Sequence, residues 1–108
     1  MTDNDKVPEL TNGEFEEFTK KGIVLVDFFA EWCMPCLMMA PVIDELSEKF
    51  KGKIKFGKVN VEDNQKISRK FQVNSIPNMV LLKNGKVLDR FIGALSQEEL
   101  EKRLKKYI

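Results

Sequence analysis

Histidine is absent from the 108 residues, and cysteine occurs only twice, tryptophan and tyrosine once each. A closed structural zinc site takes four sulfur or nitrogen ligands, so this chain supplies half of one and a metal would need a second chain. Long apolar runs are missing as well; none approaches the roughly 20 residues of a membrane-spanning helix. The start, "MTDNDKVPEL", is acidic and polar and lacks the basic-then-apolar order of a secretory signal. The expected location is therefore cytoplasmic, although a secreted domain with its signal removed reads the same way. Nor does one charge sign prevail. With 18 basic residues against 17 acidic ones spread along the chain, nothing resembles a phosphate-binding stripe, and nucleic acid is not an expected partner. Repeats, low-complexity tracts and Pro/Gly/Ser linkers are lacking too, which leaves no place to divide the chain.

What is present suits a soluble globular protein: 43% hydrophobic and 32% charged residues in a length that fits one domain, 1–108. Helix starts are well marked. Thr11 precedes Glu14 by three residues, with Leu10 and Phe15 placed to pack across the start, and Ser96, Glu99, Leu95 and Leu100 repeat the arrangement. Phe15 and Phe18 share a face of the first helix and Gly22 ends it, whereas Leu100, Leu104 and Tyr107 give the last helix one apolar face.

Between them, Ile23 to Phe29 reads as a strand buried on both faces, since Asp27 is its one polar residue. Met39, Val42, Ile43, Leu46 and Phe50 follow with helical spacing, and Pro41 is expected to kink that helix. Ile54 to Val61 reads as a second strand, joined to the first through the helix and so parallel to it. Ile67 to Phe71 suggests a short helix, and Asn84-Gly85 between "NMVLL" and "KVLDRFI" signals a hairpin. The predicted order is α, β, α, β, α, β, β, α: an α/β fold with a mixed central sheet and helices on both faces.

Both cysteines stand in "VLVDFFAEWCMPC", where the first strand gives way to the long helix. A lone Cys-x-x-Cys is compatible with redox chemistry, half a metal site or coincidence; at a strand-to-helix junction in a chain without other ligands it reads as redox. A thiolate at a helix N-terminus is stabilised by free backbone N–H groups and the positive end of the helix dipole. Three residues apart, Cys33 and Cys36 lie within disulfide reach, and Pro35 stiffens the first turn at small cost because its missing N–H has no helical partner there. Period-2 alternation puts Asp27 on one strand face with Ile23, Leu25 and Phe29, an apolar setting that raises a carboxyl pKa. The lesser reading of Asp27 is a carboxylate facing a local gap at the sheet; Lys58 reads equally as its partner from the next strand or as a solvated lysine, and Trp32 on its own reads as a packing residue.

"VLVDFFAEWCMPC", "SIPN" and "FIGALS" resemble the thioredoxin family, in order and spacing, from about Gly22 to the C-terminal helix. The resemblance implies the thioredoxin fold and reduction of protein disulfides. Cys33 would be the exposed attacking thiol and Cys36 the more buried resolving thiol, with Asp27 handling the proton of Cys36 and Lys58 tuning it. Pro77 would be cis, with the Ile76 backbone positioned to bind an extended substrate, and Trp32, Ile76, Gly93 and Ala94 would line the docking surface. It further implies a monomer with no cofactor beyond the redox-active disulfide, serving disulfide-containing protein substrates and re-reduced by a thioredoxin reductase.

Several positions depart from the family pattern. Met34 stands where thioredoxins typically carry glycine, placing a flexible apolar side chain at the point of target contact; Leu37 replaces a lysine, and Asn78 replaces the threonine after the cis-proline. Residues between the cysteines influence redox poise, so an isomerase or oxidant is the alternative within the same chemistry. Disulfide isomerases and periplasmic oxidants typically carry a histidine there, which this chain lacks. From other classes come a partner-binding module with incidental cysteines and a dimer holding an iron-sulfur cluster on four thiolates.

Overall fold

The computed structural model describes residues 7–108; Met1 to Lys6, most of the acidic start, lie outside the described residues. In chain order the elements are α1 (Asn12–Thr19), β1 (Ile23–Phe29), α2 (Met34–Lys49), β2 (Lys55–Asn60), α3 (Gln65–Lys70), β3 (Asn78–Lys83), β4 (Lys86–Ile92) and α4 (Gln97–Lys105). This is the order expected from the sequence, with ends shifted by up to three residues; the last helix stops at Lys105, so Tyr107 follows it rather than lying within it.

Alternation along β1 divides the core in two. Val24, Val26 and Phe28 point to one side, where they join Leu10, Phe15, Val59, Ile67, Val80 and Leu82 beneath α1 and α3. Leu25 points to the other, into a cluster with Met39, Ile43 and Leu46 of α2 and Leu100 and Leu104 of α4. Leu46, Leu100 and Leu104 are wholly buried, each contributing about 1.5–3 kcal/mol by leaving water. A strand that feeds both faces must be apolar almost throughout, which is why Asp27 stands out.

The strands lie in the order β2-β1-β3-β4. β1 and β2 run parallel, as the crossover through α2 requires, with Asp27 opposite Lys58. β1 pairs antiparallel with β3, and β3 antiparallel with β4 across an irregularity at Leu81/Leu82. The β3–β4 turn places Asn84 at φ 51° and Gly85 at φ 83°, the left-handed pair of a two-residue hairpin, explaining why Asn-Gly is used there. Asn84 also exchanges hydrogen bonds with Gly22: its N–H donates to the Gly22 carbonyl and its Oδ1 accepts from the Gly22 N–H, both at 2.9 Å.

At the outer side of β2, the Leu10 N–H donates to the Lys58 carbonyl at 2.7 Å and the Lys58 N–H to the Pro8 carbonyl at 3.0 Å. The predicted cap of α4 is complete: the Glu99 N–H donates to Ser96 Oγ at 3.1 Å and the Ser96 N–H to Glu99 Oε1 at 3.2 Å. In α1 the Thr11 N–H donates to Glu14 Oε1 at 3.0 Å. Pro41 lies inside α2, which stays helical from Met34 to Lys49 without interruption. Tyr107 packs against the α2/α4 core and donates its hydroxyl to Asp89 Oδ2 at 2.6 Å.

Candidate active site

The parallel strand β1 delivers the chain to the N-terminus of α2, and a tight turn completes the approach: the Cys33 N–H donates to the Ala30 carbonyl at 3.2 Å. Cys33 is the N-cap residue, its backbone extended at φ −88° and ψ 104°, and its sulfur accepts a hydrogen bond from the Cys36 N–H at 3.2 Å. An otherwise unpaired first-turn donor is thus aimed at Cys33 Sγ, the geometry that stabilises a thiolate at that atom. Pro35 occupies the first turn, as its lack of an N–H permits.

The two cysteines are joined in a disulfide, with Cα atoms 5.2 Å apart. Here the structure differs from the expectation that Cys33 is exposed and Cys36 buried. Both residues are only 4% accessible, forming a small cluster with Ala30 against which Phe29, Val61 and Ile76 pack. The asymmetry inferred for the free thiols is absent from the residue exposures of the disulfide form.

Asp27 is buried on the same face of β1 as the α2 contacts, and burial pushes its carboxyl up to about 7 from an ordinary 3.8, Lys58 pulling in the opposite direction. Its Oδ1 has no hydrogen-bond partner among the described residues. A cavity of about 90 Å³, large enough to admit water, is lined by Asp27, Lys58 and Cys36 together with Phe29, Leu37, Ala40 and Asp44. Asp27 is thus a buried carboxylate that also borders a cavity beside the sheet. Lys58 is half-buried and its ammonium stands 5.6 Å from the centroid of the Phe29 ring.

In front of the disulfide, the Ile76–Pro77 peptide is cis. The Pro77 carbonyl accepts the Gly93 N–H at 2.9 Å, extending the β3–β4 pairing by one step at the open end of the hairpin. Ile76 and Gly93 are half-buried, Pro77 is buried, and Pro35 and Ala94 are exposed. Trp32 is 68% and Met34 65% accessible. Sequence reasoning missed the partner of Trp32: its indole Nε1–H donates to Glu62 Oε2 at 2.6 Å, and Glu62 is itself held by its N–H donating to Asn60 Oδ1 at 2.9 Å. Asn78, another departure from the family pattern, is buried and accepts from Arg90 Nη1 at 3.2 Å, while Arg90 Nη2 reaches the Phe71 carbonyl at 2.6 Å.

A disulfide that closes across one helical turn can take two electrons from a dithiol or, once reduced, return them to another disulfide, with little backbone movement. Chemistry of that kind makes the molecule a thiol-disulfide oxidoreductase. The thioredoxin family model matches residues 6–106. A thioredoxin of Haemophilus influenzae is 47% identical over 105 residues, covering 95% of this chain and 98% of its own. Thioredoxins of Chlorobaculum thiosulfatiphilum and Listeria monocytogenes are 42% identical over 97 residues (90% of each chain) and 40% over 102 (94% of this chain, 99% of the relative). The chain belongs to the thioredoxin family, and its activity is that of a protein-disulfide oxidoreductase. Among the described residues no helix is long and apolar enough to cross a membrane, and no group of three or more His, Cys, Asp or Glu side chains is placed to hold a metal.

Proposed function

We propose that the chain acts in the cytoplasm as a monomeric, single-domain reductant of protein disulfides and is itself returned to the dithiol by a thioredoxin reductase. The observation that carries this reading is the Cys36 N–H directed at Cys33 Sγ from the first turn of α2. In the reduced protein that donor stabilises a Cys33 thiolate, which attacks one sulfur of the substrate disulfide. The substrate S–S bond breaks, a Cys33–substrate disulfide forms, and the departing substrate sulfur leaves as a thiolate that takes up a proton. Cys36, deprotonated in turn, attacks Cys33 Sγ and expels the second substrate sulfur, so the substrate gains two electrons and the Cys33–Cys36 disulfide is restored.

Asp27 is suited to receive the proton of Cys36 because a carboxyl with pKa about 7 changes charge at neutral pH. Both groups line one cavity, and Lys58, facing Asp27 across the sheet, lowers the cost of its ionised form. Trp32, Ile76, cis-Pro77, Gly93 and Ala94 form the rim that receives the substrate. No further cofactor takes part in the steps described. Replacing Cys33 with serine should abolish turnover of a protein disulfide, and Cys36→Ser should accumulate mixed disulfides with targets; full activity in either variant overturns the mechanism.

A further inference from the structure

Among the described residues, half of the large exposed apolar side chains gather beside the disulfide: Trp32, Met34 at 65%, Leu37 at 51% and Met38 at 69% accessible. From Trp32 to Ile43 no residue is charged, in a chain whose composition is 32% charged. One face of a surface helix would ordinarily be polar over such a length. The buried side of α2 is supplied by Cys36, Met39, Ile43 and Leu46, so Met34, Leu37, Met38 and Pro41, at i, i+3, i+4 and i+7, form a separate outward stripe. Two turns beyond Met38, the same face reverts to charge at Glu45.

We propose that this stripe is a substrate-selecting ridge: it seats an apolar segment of the target protein alongside the disulfide being reduced. The proposal rests on the reductase reading and goes beyond it by naming a second gripping face, distinct from the rim of Trp32, Ile76 and Gly93, and the target chemistry it favours. Continuity with the reaction centre identifies the occupant. Met34 lies between the two cysteines and is exposed, so the ridge begins at the reacting disulfide and continues along the next turn of α2, where the chain flanking a target's disulfide can rest. A second copy of this chain fits less well, because a stable interface commonly takes about 20–30 residues a side and the ridge offers four. Two flexible methionines suit targets of differing shape, and the absence of charge disfavours targets whose disulfide is flanked by charged side chains, since these would lose water without gaining a partner.

The test compares two disulfides, insulin and the small aromatic disulfide DTNB, in their second-order rate constants with the pre-reduced protein. In Met38→Lys the ratio of the insulin constant to the DTNB constant should fall about five-fold or more, because only insulin reaches along α2. Met38→Leu should keep the wild-type ratio, and Glu45→Lys, which adds positive charge further along the same face, should change it by less than about two-fold. An unchanged ratio in Met38→Lys, or an equal fall in Glu45→Lys, overturns the ridge while leaving the reductase reading standing. Wild-type protein that reduces neither disulfide overturns both. Sedimentation of the wild type as a dimer that Met38→Lys dissociates would assign the stripe to self-association and overturn the proposal.

Discussion

Asp27 on β1 and Lys58 on β2 stand directly opposite one another, and both line the cavity that also reaches Cys36. The pairing is incomplete compensation. Desolvation outweighs the lysine, so Asp27 remains protonated to about pH 7. An acid whose pKa is raised in the fold holds its proton where the unfolded chain has released it, and stability then falls as pH rises.

The loss is confined to the window between the two values. Below about pH 4 the residue is neutral in both states and costs nothing; from there to about pH 7 stability declines, and above it the cost is full, on the order of 4 kcal/mol. Asp27→Asn should therefore be more stable than the wild type at pH 8 by a few kcal/mol and nearly equal to it at pH 4. Urea midpoints measured across that range check this, and parallel curves for the two proteins would show that Asp27 is not the titrating group.

The same carboxyl should time the second chemical step. Asp27→Asn is expected to slow release of the mixed disulfide on the order of 100-fold, the low end for loss of a positioned base. Lys58→Met removes the charge that favours ionised Asp27 and should move the pH inflection of that step upwards without eliminating it. Stopped-flow of a preformed mixed disulfide separates the two, and identical pH profiles in all three proteins would remove Asp27 from the mechanism.

Leu37 occupies the first turn of α2 next to Cys36 and carries no charge. A lysine there should stabilise the thiolate by about 0.3–1 kcal/mol and so make the Cys33–Cys36 potential less negative by about 6–20 mV. Equilibration against defined thiol–disulfide buffers, read through Trp32 fluorescence, measures both proteins. A wild-type value near the roughly −270 mV of thioredoxin supports the reductant role, and one tens of millivolts less negative would favour the isomerase or oxidant.

Gly93 sits at φ +91°, and a side-chain carbon added there would meet nothing within 4 Å, so space is not the constraint; backbone conformation is. Gly93→Ala should cost about 1–3 kcal/mol and loosen the hydrogen bond to the Pro77 carbonyl. Thermal unfolding together with the insulin rate reads both effects, and an unaltered midpoint would show that the loop adopts another conformation freely.

Local signals made most of this legible. Eight elements follow from apolar spacing, caps and one Asn-Gly turn, because each of those is settled by neighbours in sequence. Cys33 and Cys36 were readable from spacing and from the junction they occupy, and Asp27 from the interruption of an apolar strand. The cis peptide before Pro77 came only through the family resemblance. Trp32 and Glu62 meet across thirty residues of sequence, and a solvated glutamate offers no sign of such a bond. Equal burial of the two cysteines was unreadable because it rests on Val61 and Ile76, distant in sequence, packing against them. The charge-free stretch after Trp32 was visible as letters, but which of its residues face outward emerged only once α2 had been packed on α4.

The strand order has a consequence for hydrogen exchange. β1 lies between β2 and β3, and β3 between β1 and β4, so their amides are screened by a ladder on either side. Pro8 to Leu10 shelters part of the β2 edge, whereas β4 closes the sheet with Val87, Leu88 and Ile92 exposed and Lys86, Asp89 and Arg90 along it. Deuterium should enter β4 early and β1 last. With exchange in that order, the reactive turn hangs on the slowest-opening strand, and Gly93, just after β4, sits beside the fastest, so one side of the proposed substrate rim is a fixed mount and the other can breathe.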